Sequence, residues 1–237
     1  MQAQSISDVW QQVTGVQAAP PSWAVLTAGA IALAAVLPTA VWRYTRNLVT
    51  IAHEGGHALT AVLMRRRLHG IRLHSDTSGL TVSSGKPYGP GMVLTAAAGY
   101  IAPSLLGLGG AWLLTDGHLT ALLWAFVLLL LCVLIEVRNA YGAVTVLVTG
   151  AVCFAVSWFG SALVQAFFGY LAVWFLLLAG MRPVVELQRK RRRGGAPDSD
   201  ADQLGRLTKV PGVLWVTLFF AVSLVCLATG GRWLLRA

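Results

Sequence analysis

The chain has 237 residues, 56% of them hydrophobic and only 11% charged, with a mean hydropathy of +0.68. So few charges cannot coat a soluble globule of this length, which leaves an integral membrane protein built as a single helical bundle. The formal charge of +9 does not mark a nucleic-acid binder: no aromatic residue interleaves the basic run Arg189 to Arg193, and no nucleic-acid motif accompanies it. Cys132, Cys153 and Cys226 all lie inside apolar runs, where they act as small hydrophobes and not as a disulfide framework.

Apolar stretches of the roughly 17–25 residues needed to cross a bilayer predict an all-α polytopic membrane protein. The seven expected transmembrane helices lie at about 24–42, 47–64, 91–114, 118–137, 140–158, 161–181 and 212–230. Residues 1–23 contain no Lys or Arg, so they lack the basic start of a cleaved signal peptide and the first span reads as retained. With seven spans and a cytoplasmic N-terminus, all of the 18 basic residues except Arg43, Arg46, Arg232 and Arg236 fall inside. That bias is the positive-inside signature and fits a bacterial inner membrane with anionic head groups beside the basic run.

The second span is anomalous. Ile51-Ala52-His53-Glu54-Gly55-Gly56-His57-Ala58-Leu59 places two imidazoles and a carboxylate where lipid makes them expensive. On a helix, residues four apart share a face, so His53 and His57 can aim nitrogens at one metal ion. Glu54 can then reach the water that completes the coordination, the His-Glu-x-x-His arrangement. A zinc ion in such a site lowers the pKa of its water toward 7, and Glu54 takes the proton as the water attacks a carbonyl, which makes peptide-bond hydrolysis the natural reaction. Gly55 and Gly56 leave room for a close neighbour.

Residues 68–90 alternate apolar and polar positions around a turn near Ser78-Gly79, which predicts a small cytoplasmic β-hairpin after the second span. Asn139 opens the fifth span, and residues 182–211 form a basic and then acidic cytoplasmic loop before the last span. His69 and His74 read as solvated hairpin residues, and the tryptophans at span ends as interfacial anchors.

Taken together, a His-Glu-x-x-His helix in a multispanning chain followed by a cytoplasmic hairpin resembles the site-2 protease family of intramembrane zinc metallopeptidases. The match lies in Ile51 to Ala61, and Arg65-Arg66-Arg67 through Thr81 looks like a small actinobacterial-type branch; about a third of the chain carries the likeness. The resemblance implies a Zn2+ cofactor held in the membrane near the cytoplasmic face and cleavage of a membrane-spanning substrate helix after local unwinding. His57 lies eight residues before Arg65, or about 12 Å along a helix, which agrees with that depth.

The family usually takes its third ligand from an Asp-Gly pair on a later helix. Here that pair is Asp116-Gly117, on the expected outer side, which leaves Asp76, Asp198, Asp200 and Asp202 as cytoplasmic candidates. The run from Ser199 to Thr208 looks like the corresponding loop of the branch and names Asp200 as the ligand. Ser199 or Asp200 has an equally plain reading as the cap of a short helix over about 201–209. The resemblance also gives Asn139 a role in positioning substrate or the metal's water, and analogy offers the hairpin's edge strand to an unwound substrate. An active zinc protease competes with an inactive scaffold of the same fold and with a metal transporter.

Overall fold

The computed structural model describes residues 6–194, 196 and 198–236. Its elements are helices α1 (Ile6–Thr14), α2 (Ser22–Val36) and α3 (Thr39–Leu63), strands β1 (Arg67–Leu73) and β2 (Gly79–Ser84), then α4 (Pro90–Thr115), α5 (Leu119–Glu136), α6 (Ala140–Phe159), α7 (Ala162–Ala179), α8 (Met181–Arg192), α9 (Asp200–Thr208) and α10 (Gly212–Leu234). Helices α4, α5, α6 and α10, with α7 and α8 read together as Ala162–Arg192, make five helices long and apolar enough to cross a membrane. The protein is thus a mostly helical membrane protein with one two-stranded antiparallel hairpin.

The expected count of seven spans gives way to five, or six when α2 and α3 are taken as one broken span bent by 104°. The reason lies in both helices. α2 has 15 residues, about 22 Å of helix against a hydrocarbon core of about 30 Å. α3 is long enough but carries Arg43, Arg46, His53, Glu54 and His57. Pro38 sets the break, since it has no N–H to continue the ladder and its ring crowds the preceding turn. The carbonyls exposed at the end of α2 need donors. Arg182 supplies them to Val36 O and Leu37 O, Thr45 Oγ1 donates to Ala35 O at 2.9 Å, and the Arg182 guanidinium lies over the Trp42 ring at 4.9 Å.

The hairpin is tied to one end of the bundle. β1 and β2 pair from Leu73↔Gly79 to Arg67↔Ser84, with an irregularity at Leu68/Gly70. Gly70 has a φ of +135°, and a Cβ there would lie 2.3 Å from Arg138 Cγ, so glycine is required for the approach. The turn spans His74 to Ser78, a little before the expected Ser78-Gly79. It is closed by His74 N donating to Ser78 O and by Ser78 N donating to Asp76 Oδ1. On the outer edge of β1, Arg138 N donates to Ile71 O at 2.9 Å and Ile71 bridges Val137.

At the far end of α4 the partners are different. Gln17 N donates to Gly117 O at 2.8 Å and Thr120 N donates to Gln17 Oε1 at 3.1 Å. The N-terminal segment therefore packs at the end opposite the hairpin, not on the hairpin's side as expected from seven crossings. The bend of 104° between α2 and α3, where two straight spans were expected, accompanies the exchange. The main apolar cluster fills the bundle around Val25, Leu114, Leu123, Val173, Leu177 and Cys226. A second cluster, with Val184, Leu187, Leu204 and Phe219, docks α8 and α9 against α4 and α10.

Candidate metal centre

Helical geometry puts His53 and His57 one turn apart on the same face of α3. Their Nε2 atoms lie 3.1 Å apart, and Asp200 Oδ2 lies 3.3 Å from each. Ligand atoms held about 2.0–2.2 Å from a tetrahedral ion are roughly 3.3–3.6 Å apart, so this triangle is of the size that one ion requires. The side chains are 19, 12 and 20% exposed, which places the cluster below the surface with some access.

The tautomer argues the same way. His57 Nδ1 faces the Thr95 carbonyl at 2.7 Å. A carbonyl only accepts, so Nδ1 carries a proton, and in the neutral ring that leaves Nε2, turned toward His53 and Asp200, as the nitrogen with the lone pair that a metal ion needs. Acceptors converging on one point in a low-dielectric bundle repel unless a cation lies between them. His53, His57 and Asp200 form a group that could hold a metal ion.

Asp200 reaches this point because α9 is built to present it. Leu204 and Ala201 are fully buried, fixing the helix by its apolar side. Ser199 caps the helix by accepting from Asp202 N, while Asp202 takes Arg191 through Nε at 3.0 Å and Nη2 at 2.6 Å. That guanidinium, first among its partners, holds the Asp202 carboxyl below its ordinary range. With capping done by Ser199, Asp200 is left at the first helical position facing α3.

The other acidic candidates are elsewhere. Asp198 is almost fully exposed near Arg206, Asp76 closes the hairpin turn, and Asp116 pairs with His118 at the opposite end of α4. Asn139 is occupied by the hairpin: its Nδ2 donates to Leu73 O at 2.7 Å and its Oδ1 accepts from Leu73 N at 3.1 Å.

Glu54 is 4% exposed. Thr81 Oγ1, on β2, donates to Glu54 Oε2 at 2.7 Å and to the Glu54 carbonyl at 3.1 Å. The strand comes so near that a Cβ on Gly79 would lie 2.5 Å from Glu54 Oε1. On the other side, a Cβ on Gly99 would lie 2.3 Å from His57 Nε2 and 2.6 Å from His53 Nε2. Gly56 admits α4 in the same manner, its would-be Cβ falling 2.4 Å from Ala102 Cβ. Tyr100 packs edge-on to His53 at 4.7 Å and stacks on Phe219.

Thr81, Thr95, Gly79, Gly99 and Tyr100 escape a reading of the sequence by motif. The one local signal is the run Thr95-Ala96-Ala97-Ala98-Gly99, whose small side chains mark a helix face made for close approach. A family model described as Peptidase M50B-like matches residues 26–230. No curated protein and no solved structure matches the chain.

Proposed function

The chain belongs to the Peptidase M50B-like family of membrane metallopeptidases, and on that premise we propose that it is a zinc-dependent protease that cuts membrane-spanning protein segments. The observation that carries the reading is the convergence of His53 Nε2, His57 Nε2 and Asp200 Oδ2 within 3.3 Å of one another, with a buried carboxylate at the adjacent position 54. Two imidazoles and one carboxylate are a zinc donor set. Zinc, when bound, supplies Lewis acidity toward water and a peptide carbonyl.

The chain's own groups do the rest. Glu54 takes the proton of the attacking water and returns it to the departing amine. Thr81 holds Glu54 Oε2 in place at 2.7 Å, and the Thr95 carbonyl fixes the ring of His57. Substrate binding falls to the hairpin. Val137 and Arg138 cover the outer edge of β1, whereas β2 bonds through its backbone to β1 alone among the described residues. An unwound segment added to the free edge of β2 would run past Glu54. Asn139 is a positioning residue in this scheme: by clamping Leu73, the partner of Gly79, it sets the strand against Glu54.

The hairpin end also gathers Arg65, Arg66, Arg67, Lys86, Arg138 and the basic end of α8, so the positive-inside rule makes it cytoplasmic and puts the N-terminal segment outside. A bacterial inner membrane suits that bias. A scaffold gains nothing from this donor set, and a transporter needs polar steps beyond a single cluster.

The test uses the full chain reconstituted with a labelled single-span reporter helix. Glu54→Gln should lower cleavage by more than about a thousandfold with zinc content unchanged, since the base alone is removed. Asp200→Ala should lose zinc, and Asp202→Ala should keep it. Cleavage by Glu54→Gln at the native rate would end the protease reading.

A further inference from the structure

A second polar feature stands apart from the metal centre. The start of α3, the hairpin turn, the first turn of α6 and the end of α8 enclose an open cavity of about 770 Å³. Arg43, Arg46, Arg189, Lys190 and Arg193 line it against Asp76 and Glu186, which is five cations to two anions, or +3 by residue. Both carboxylates are already engaged. Glu186 lies 3.3 Å from Arg46 and 3.2 Å from Arg182, and Asp76 accepts from Ser78 Oγ at 2.6 Å.

Four of the five cations have no such partner. Arg43, Arg189, Lys190 and Arg193 meet no carboxylate among the described residues, and Arg43 rests on the Tyr44 ring at 4.8 Å. Trp42, 3% exposed, also lines the cavity, and its indole N–H finds no acceptor among the described residues. Guanidinium groups brought together without counter-charge repel one another, and a multivalent oxyanion with several acceptor oxygens relieves that repulsion. A phosphate carries more acceptor oxygens for several forked arginine donors than a single carboxylate does, and Tyr44 and Tyr141 add the amphipathic rings found beside membrane head groups.

We propose that this cavity binds a phosphate-bearing anionic headgroup. Three of the four elements that wall it also bear on the metal centre: α3 bears His53 and Glu54, the hairpin bears Gly79 and Thr81, and α8 leads to Asp200. Thr77 in the cavity wall takes a hydrogen bond from Thr50 Oγ1 at 2.9 Å, one turn before Glu54, and Asn47 Nδ2 donates to Tyr141 Oη at 3.2 Å. A bound headgroup therefore fastens the hairpin turn to α3 and α8. The proposal concerns binding alone, so its failure and that of the protease reading are separable.

The full chain in neutral maltoside detergent is titrated by calorimetry with dihexanoyl phosphatidylglycerol, dihexanoyl phosphatidylcholine, glycerol phosphate and inorganic phosphate. Saturable one-to-one binding of the phosphatidylglycerol, with none of the zwitterionic phosphatidylcholine, is expected. Replacing Arg43, Arg189 and Arg193 together by Gln should weaken it about a hundredfold, from a roughly fivefold loss per cation. Lys190→Glu alone should weaken it by at least about tenfold, and Arg232→Gln, at the end of α10, should leave it intact. Lack of competition by glycerol phosphate identifies a lipid as the source; competition by glycerol phosphate or inorganic phosphate identifies a soluble ligand of the same chemistry. Native affinity in the triple variant with a native elution profile, equal binding of phosphatidylcholine, or no anion bound would each overturn the site.

Discussion

α3 and α5 belong to the same bundle and obey opposite rules. α5 is an apolar helix without a charge before Glu136, and it meets α6 through rings: Trp124 against Phe154 at 5.9 Å and against Trp158 at 6.2 Å. Such contacts are held by dispersion and area, and they tolerate repacking. α3 instead carries ionisable groups directed at particular partners: Arg46 at Glu186, His53 at Asp200, His57 at Asp200 and the Thr95 carbonyl, Glu54 at Thr81. Around these groups the neighbouring backbones close in at glycines, and a single added carbon has no space. The contrast teaches that the bundle is permissive where it is merely apolar and exacting where it holds charge.

The largest test of that contrast lies within α4. Gly99→Ala would set a methyl group 2.3 Å from His57 Nε2, whereas Gly109 on the same helix has nothing within 4 Å of an added Cβ. On the proposed function, displacing the His53 and His57 nitrogens should weaken metal binding by at least about tenfold and cleavage by about a hundredfold. Gly109→Ala should alter neither. Metal analysis and reporter cleavage on the two variants decide it, and equal behaviour would erase the distinction drawn between the two kinds of contact.

A smaller effect is expected at the break between α2 and α3. Arg182→Met leaves the Val36 and Leu37 carbonyls and Glu186 short of a donor, which should cost about 3 kcal/mol in thermal unfolding of the detergent-solubilised chain. Leu128→Ala, on the exposed side of α5 at 60%, should cost nothing measurable. If the two shifts were alike, Arg182 would be a surface cation and the bend at Pro38 would need another support.

How far the sequence foretold these features follows from the same distinction. Apolar runs mark α4, α5, α6 and α10 to within a few residues, because a span is a one-dimensional property. His53, Glu54 and His57 are equally legible, since their relation is fixed by helical spacing inside one segment. The bend between α2 and α3 is not, because hydropathy counts the apolar residues on either side of Pro38 without saying that Arg182, far along the chain, will cover the broken end. Asp200 is singled out in the sequence only by the likeness of its loop, with a helix cap as an equal reading; that it turns to the histidines depends on Ser199 taking the cap and Leu204 taking the core. Asn139, marked by its place at a span start, binds Leu73 in the fold, a pairing that no local pattern encodes.

The smallest of the expected effects falls on the contact between strand and helix. Thr81→Val removes one hydroxyl of about the same shape, so packing of β2 against α3 should survive while Glu54 Oε2 loses its donor at 2.7 Å. A hydrogen bond to a charged group contributes about 1.5–3 kcal/mol, but only the part that orients the carboxylate enters the rate, so cleavage should fall about tenfold. Zinc content should not move, because Thr81 touches no ligand atom. Thr81→Ser should restore most of the rate, which a merely structural methyl contact would not do. A rate unchanged in Thr81→Val would mean that Glu54 is aligned by the close backbone at Gly79 alone, and the polar rule drawn for α3 would then rest on steric fit more than on directed hydrogen bonds.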